Sequence, residues 1–435
     1  MSTAAIHAGW RADDAHGAVV PPVYATSAYA HESHASLRDL FARRCDGFAY
    51  SRSGNPTTAV LERRITALEG GIGAIAVASG QAATTIALLA LLEPGSHLVA
   101  SSLLYGGTTE FLDDTLADLG VTTTVVDPAD LTALAAAITE DTRAVLVESI
   151  ANPGAQLVDL PAIAEIAHAR DVPVVVDSTL ASPALYRPGE HGADLVVHSA
   201  TKYLSGHGTT IAGLIVDTGR FDPRRCPARW TRLTTRNRRF GVTFADDYER
   251  DCSGLLAYAR AKYVTDLGAT LPAASAQQIL VGIETLDLRM RAHSTTAADL
   301  AARLHGEDGV ERVSHPSIPG RPDAPLARRD FPRGTSGVFS LELAGGEAAA
   351  AAFCDALELW TLAVNVGDAR SLVCHPGTTT HSHLTEAQRL ACGVTPGTVR
   401  LSIGLEDVED LWEDLRRGLA AVAALPAADE AAPVP

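Results

Sequence analysis

Between Thr58 and Asp217, short apolar runs alternate with helical stretches of about 10–15 residues. No other feature restricts the fold as much. The runs are AIAVAS (residues 74–79), HLVASS (97–102), TTTVVD (122–127), RAVLVES (143–149), VPVVVD (172–177), ADLVVHSA (193–200) and TIAGLIVD (210–217). Helical TTAVLERRITALEG, QAATTIALLALLE, LTALAAAIT and LPAIAEIAHARD lie between them, the first ending at Gly70. Strands that are apolar at nearly every position are buried on both faces, which implies βαβ units and a mostly parallel sheet in a three-layer α/β domain.

Outside that region the rhythm changes. Residues 1–57 are punctuated by Pro21, Pro22, Gly47, Gly54 and Pro56, and read as an arm against a neighbouring subunit. Residues 58–270 form the α/β domain, with an Arg- and Pro-rich surface insertion at 219–266. A long helical stretch from Ser275 then leads into a smaller α+β domain spanning 271–425. Its elements are VFSLELAG, EAAAAAFCDALEL and TVRLSIGLE. The Ala/Pro-rich end, 426–435, reads as a frayed tail.

A net charge of −17 argues against nucleic acid or an anionic membrane surface as a partner. Six cysteines with no C-x-x-C pair disfavour zinc ribbons and disulfide frameworks. No apolar run approaches the ~18 residues of a membrane span, and no basic-then-apolar leader opens the chain. A soluble cytoplasmic protein is expected.

The chemistry concentrates at strand ends. Lys202 follows ADLVVHSA and precedes Gly206-His207-Gly208. A partly desolvated ammonium there has a lowered pKa and a nucleophilic amine; the alternative is a satisfied structural lysine. Asp177 ends VPVVVD, on the edge of an open sheet where ligands bind, although such an aspartate can equally cap a helix. A buried carboxylate can pair with a protonated pyridine nitrogen, and a buried lysine condenses with an aldehyde. Together these are a protein's two handles on pyridoxal phosphate. Ser79-Gly80-Gln81 forms a strand–Gly–helix junction whose free amides can cradle a phosphate, or it is simply a tight turn. Arg52, in YSRSGNPT, suits a phosphate clamp but reads locally as one arginine in a polar turn. His31 with His34, and His375 with His381 and His383, lack partners for a metal site and read as loop histidines.

The runs YSRSGNPT, ASGQAA, LLYGGT, ESIANP, VVVDST and SATKYLSGHGTTIAG, in that order over most of the chain, resemble the Cys/Met-metabolism family of pyridoxal-phosphate enzymes. Within it, GHGTTIAGLIVD and NVGDARSLVCHPGTTTH are similar to the O-acetylhomoserine sulfhydrylase (homocysteine synthase) branch. The resemblance implies the aspartate-aminotransferase-like fold type I and pyridoxal 5'-phosphate as cofactor. It implies that Lys202 attaches the cofactor and moves protons, that Asp177 pairs with the ring nitrogen, and that Tyr105 stacks on the ring. Ser79, Gly80, Gln81, Ser199 and Thr201 would bind the phosphate, with Tyr50 and Arg52 reaching it from the neighbouring subunit. Asn152 would touch the 3′ oxygen, and Arg400 with adjacent Asn365 would grip the substrate carboxylate. The expected assembly is a dimer with shared sites, associating into a tetramer.

The implied reaction in sulfur amino-acid metabolism is γ-replacement on an O-acyl-L-homoserine, O-acetyl being favoured, by sulfide or another nucleophile. A methionine- or cystathionine-type γ-lyase releasing 2-oxobutanoate and ammonia is the alternative. A non-catalytic cofactor-binding homologue comes third. The chain departs from the family at Ser178, where asparagine is usual, at GATLPAASAQQ (268–278), and at HPGTTTH. Residues 224–278 are expected near the site entrance, which leaves the nucleophile open.

Overall fold

The computed structural model describes residues 1–12, 16–42, 44–247 and 253–426; Cys252 and the expected tail beyond 426 lie outside them. Seven strands form the first sheet: β1 (Gly73–Val77), β2 (His97–Ser101), β3 (Thr122–Val126), β4 (Thr142–Glu148), β5 (Val174–Asp177), β6 (Leu195–Ser199) and β7 (Gly213–Asp217). Their order is β1-β7-β6-β5-β4-β2-β3. β3, β2, β4, β5 and β6 run parallel, while β7 is antiparallel to both β6 and β1. The strand order reverses between β2 and β4, so the loops after those strands diverge and open a crevice at the carboxyl edge.

Alternating residues serve two cores. Ile75, Leu98, Leu146, Val175, Val197 and Ile215 pack beneath the helix Gly80–Leu91. Val99, Val145, Val147, Val174, Val176 and Val196 face the helices Pro56–Glu69 and Leu160–His168. Helix ends follow local chemistry: Asn55 Oδ1 accepts the Thr57 N–H with Pro56 opening the helix, and Gly70 closes it at φ 71°.

The segment 219–266 departs from the expected solvated insertion. Trp230, Leu233, Phe244, Leu255, Leu256 and Tyr258 are buried in the core that includes the helix Gly80–Leu91. Arg229 and Arg232 bond the main-chain carbonyls of Arg170 and Leu92, while Arg224 and Arg239 pair with Asp222 and Asp266. The helices here are as short as Thr231–Thr234, too short to display an apolar period.

The expected long helical stretch is two helices, Ala273–Glu284 and Leu286–Leu304, which break at Thr285. They lead to a second sheet of β8 (Val310–Ser314), β9 (Val338–Leu343), β10 (Thr361–Leu362), β11 (Leu372–Cys374) and β12 (Thr398–Ser402), ordered β10-β11-β12-β9-β8. Its apolar residues, Phe339, Leu341, Val399 and Leu401 among them, continue one of the two cores of the first sheet. Among the described residues no helix is long and apolar enough to cross a membrane.

Candidate active site

The loop after β6 carries Lys202, whose Nζ donates to Asn365 Oδ1 at 2.5 Å. Asn365 comes from the strand-free segment between β10 and β11, so the two sheets meet at this amine. The contact is close because Gly367, at φ 73°, lies against the Lys202 backbone. A Cβ there would stand 2.8 Å from the Tyr203 nitrogen and 3.1 Å from the Lys202 Cβ. Burial first, and then the Arg400 guanidinium, push the Lys202 ammonium down to about 8.

Arg400, in the middle of β12, is 2% exposed. Its Nη1 donates to Asn152 Oδ1 at 3.3 Å and its Nη2 to the Asn365 carbonyl at 3.1 Å. Asn152, Asn365, Arg400 and Lys202 therefore form one connected group drawn from both sheets.

Asp177 ends β5, and burial raises its carboxyl above the usual carboxylate range. Thr179 bonds it through its N–H at 2.9 Å and through its hydroxyl, and the same hydroxyl accepts the Ser199 N–H at 2.8 Å. Ser178, the departure from the usual asparagine, is fully buried and its hydroxyl meets that of Ser149 at 3.1 Å, joining the ends of β4 and β5.

The sequence reading overlooked Glu148. It ends β4 in register with Asp177, is buried, and accepts the Tyr105 N–H at 2.5 Å. Burial and the neighbouring Asp177 raise its carboxyl well above the ordinary range. The available signal was an acidic residue directly after the apolar run 144–147. Tyr105 itself is 42% exposed, over the crevice where the strand order reverses.

At the other side of the site, Ser79 caps the helix Gly80–Leu91 by accepting the Ala82 N–H. That leaves the Gly80 and Gln81 N–H groups without an acceptor among the described residues. A Cβ on Gly80 would lie 2.5 Å from that of Ser199, so only glycine lets the helix start approach β6 this closely. Thr201 braces the same corner, its hydroxyl accepting the Ala212 N–H at 3.1 Å.

Two expected participants lie elsewhere in this chain. Arg52 donates to the Thr265 carbonyl at 2.6 Å and packs over the ring of Tyr50, which is about half exposed. Within the Arg-rich part of 224–278, Arg229 and Arg232 reach Arg170 and Leu92, at the opposite edge of the first sheet, whereas Arg239 pairs with Asp266 beside the Arg52–Thr265 contact, and the end around Ala269 and Thr270 pairs beside β1 near Ser79. His375 bonds Thr378 and the Pro396 carbonyl, and His381 bonds Thr380, which accounts for two of the loop histidines.

These residues fit pyridoxal phosphate. Asp177 has no ion-pair partner among the described residues, so a ring N–H⁺ would supply its missing cation. The Gly80 corner offers unpaired amides to a dianion at a helix start. Lys202 has the depressed pKa that an amine needs to attack an aldehyde near neutrality.

Comparison with known proteins agrees. Residues 2–420 match the Cys/Met metabolism PLP-dependent enzyme family. The chain is 39% identical over 432 residues to an O-acetyl-L-homoserine sulfhydrylase of Leptospira meyeri, covering 96% of each. It is 39% identical over 424 residues to an L-methionine gamma-lyase of Pseudomonas putida, covering 97% of this chain and 98% of the relative. A crystal structure described as an O-acetylhomoserine (thiol)-lyase of Campylobacter jejuni, which carries a pyridoxyl-lysine phosphate, superposes with a TM-score of 0.93 at 33% identity over 96% of this chain and 99% of that one. With a site built for the same cofactor and a match along nearly its whole length, the chain belongs to the Cys/Met metabolism family of PLP-dependent enzymes.

Proposed function

We propose that this enzyme carries out γ-replacement on an O-acyl-L-homoserine, with O-acetyl-L-homoserine as substrate and sulfide or another small nucleophile as the incoming group. The observation that carries this reading is the near-complete superposition on a structure described as an O-acetylhomoserine (thiol)-lyase, together with the matching sulfhydrylase relative. Bound pyridoxal phosphate supplies an electron sink that stabilises negative charge on the substrate at Cα and then at Cβ. Arg400, already buried and held by Asn152 and Asn365, takes the substrate carboxylate in a charge-assisted, bidentate contact. Lys202, held near neutrality, takes the Cα proton and returns it where the reaction requires. Tyr105 covers the open face and presents its hydroxyl near the amino group. The acyl group then leaves from Cγ, and the nucleophile forms the new Cγ bond.

The γ-lyase reading rests on the methionine gamma-lyase relative at the same identity. Purified enzyme would be incubated with pyridoxal phosphate and O-acetyl-L-homoserine, with and without sulfide, and the products identified by mass spectrometry. Homocysteine formed only with sulfide supports replacement. In a parallel incubation with L-methionine, release of 2-oxobutanoate, combined with no turnover of O-acetyl-L-homoserine, sinks it in favour of the lyase.

The reading extends to assembly: a second copy places its Tyr50 and Arg52 on the phosphate, within a dimer that pairs into a tetramer. Supporting it are the Arg52 contact to Thr265 rather than to its own Gly80 corner, and the exposure of Val19, Val20 and Phe41 on the arm. Arg52→Ala and Lys202→Ala, each expected to be inactive alone, would be mixed and reassembled. Recovery of about a quarter of wild-type activity is expected, because half of the random dimers hold one intact site. No recovery despite exchange of subunits would overturn shared sites.

A further inference from the structure

Glu148 and Asp177 are the last residues of adjacent parallel strands and stand directly opposite each other. Both belong to the strand face whose earlier members, Leu146 and Val175, pack beneath the helix Gly80–Leu91. Neighbouring strands lie about 4.8 Å apart, so two carboxyl groups share one buried corner. Neither has an ion-pair partner among the described residues. Asp177 has a ready explanation in the ring nitrogen it is placed to meet. A single ring cation cannot answer for both acids, and an acid two residues beyond the buried Leu146 is costly unless its oxygens are used.

They are used on the main chain. The Glu148 carboxyl accepts the Tyr105 N–H at 2.5 Å and is also within reach of the Asn152 N–H. Tyr105 ends the loop after β2, just before the helix Gly106–Glu110, and Asn152 lies in the loop after β4. Those two loops flank the crevice where the strand order reverses, and no strand pairing continues between them. Gly106 presses against the Thr380 carbonyl on the far side, so the Tyr105 loop is fixed from without as well.

We propose that Glu148 is a positioning residue for the cofactor: its carboxyl ties the Tyr105 loop to the Asn152 turn, and so sets the stacking ring and the 3′-oxygen contact relative to Asp177. Glu148 touches neither cofactor nor substrate and acts through Tyr105 and Asn152. The proposal holds whichever nucleophile the enzyme uses, since it concerns how the ring is held and not what is added at Cγ.

The test compares Glu148→Gln and Glu148→Ala with wild type. The glutamine is nearly the same shape and keeps one accepting oxygen, while its NH₂ cannot accept from the other amide. Glu148→Gln is expected to raise the pyridoxal-phosphate dissociation constant about tenfold and Glu148→Ala about a hundredfold. Circular dichroism in the cofactor's visible band, which reports how the ring is seated, should shrink in the same order. A third measurement addresses the coupling. Tyr105→Phe should lower kcat by a smaller factor in the Glu148→Gln background than in wild type, because Tyr105 is already displaced. The proposal fails if both variants keep wild-type cofactor affinity and visible dichroism while only their melting temperature falls. It fails equally if Tyr105→Phe costs the same factor in both backgrounds.

Discussion

Lys202 Nζ and Asn365 Oδ1 stand 2.5 Å apart although 163 positions separate them in the chain. The contact joins the loop after β6 to the segment before β11, so the amine is held by both sheets at once. Asn365 also offers its main-chain carbonyl to Arg400, which places the lysine and the arginine on opposite ends of one residue.

The like charge of Arg400 is one of the two causes that depress Lys202 to about 8, burial being the larger. Arg400→Gln removes that repulsion, so the Lys202 value should rise, while burial keeps it below 10.5. The rate at which apoenzyme captures pyridoxal phosphate, followed by visible absorbance against pH, should inflect near 8 in wild type and at higher pH in the variant. The same substitution should raise KM by about 100-fold, since the substrate carboxylate loses its buried charged partner.

Asp177→Asn keeps the shape of the side chain and removes its charge. Without an anion opposite it the ring nitrogen loses its proton, and the electron sink weakens. A fall in kcat of about 10²–10⁴-fold is expected. Reconstitution with N-methylated pyridoxal phosphate, whose ring stays cationic without a partner, should restore part of the loss. Equal activity of the variant and wild type would remove Asp177 from this role.

Gly80→Ala puts a Cβ 2.5 Å from that of Ser199, and the helix start must retreat. Overpacking of this kind costs about 1–3 kcal/mol. Because the retreat opens the phosphate corner, the loss should appear as weaker cofactor retention, at least about tenfold, in an absorbance titration. The pH at which Lys202 reacts should stay where it is.

Ser178→Asn restores the residue usual in the family, but at a site already filled by the Ser149–Ser178 contact. Both side chains are buried, so the added volume should destabilise the enzyme by about 1–3 kcal/mol in denaturant unfolding. Ser149→Ala combined with Ser178→Asn should lose less than the two single effects together, since the residues touch.

The βα alternation from Thr58 to Asp217 was legible because strands buried on both faces are apolar throughout and the helices between them show their own period. Lys202, Asp177 and Gly80 were legible for a related reason, since each sits at a strand end, where local order already says which edge it occupies. The resemblance added Tyr105, Asn152, Asn365 and Arg400, which local pattern alone would have left as loop or strand residues.

Tertiary structure decided what depends on distant segments meeting. Phe244 and Trp230 sit among arginines on turns too short to show a period, so their burial followed only from packing against the helix Gly80–Leu91. The Asn365 contact to Lys202 and the Glu148 contact to Tyr105 join residues that no spacing rule connects. Sequence determined which side chains end the strands, because periodicity is local. Which of those ends face one another was decided by strand order and by the docking of the second sheet, which are properties of the folded chain.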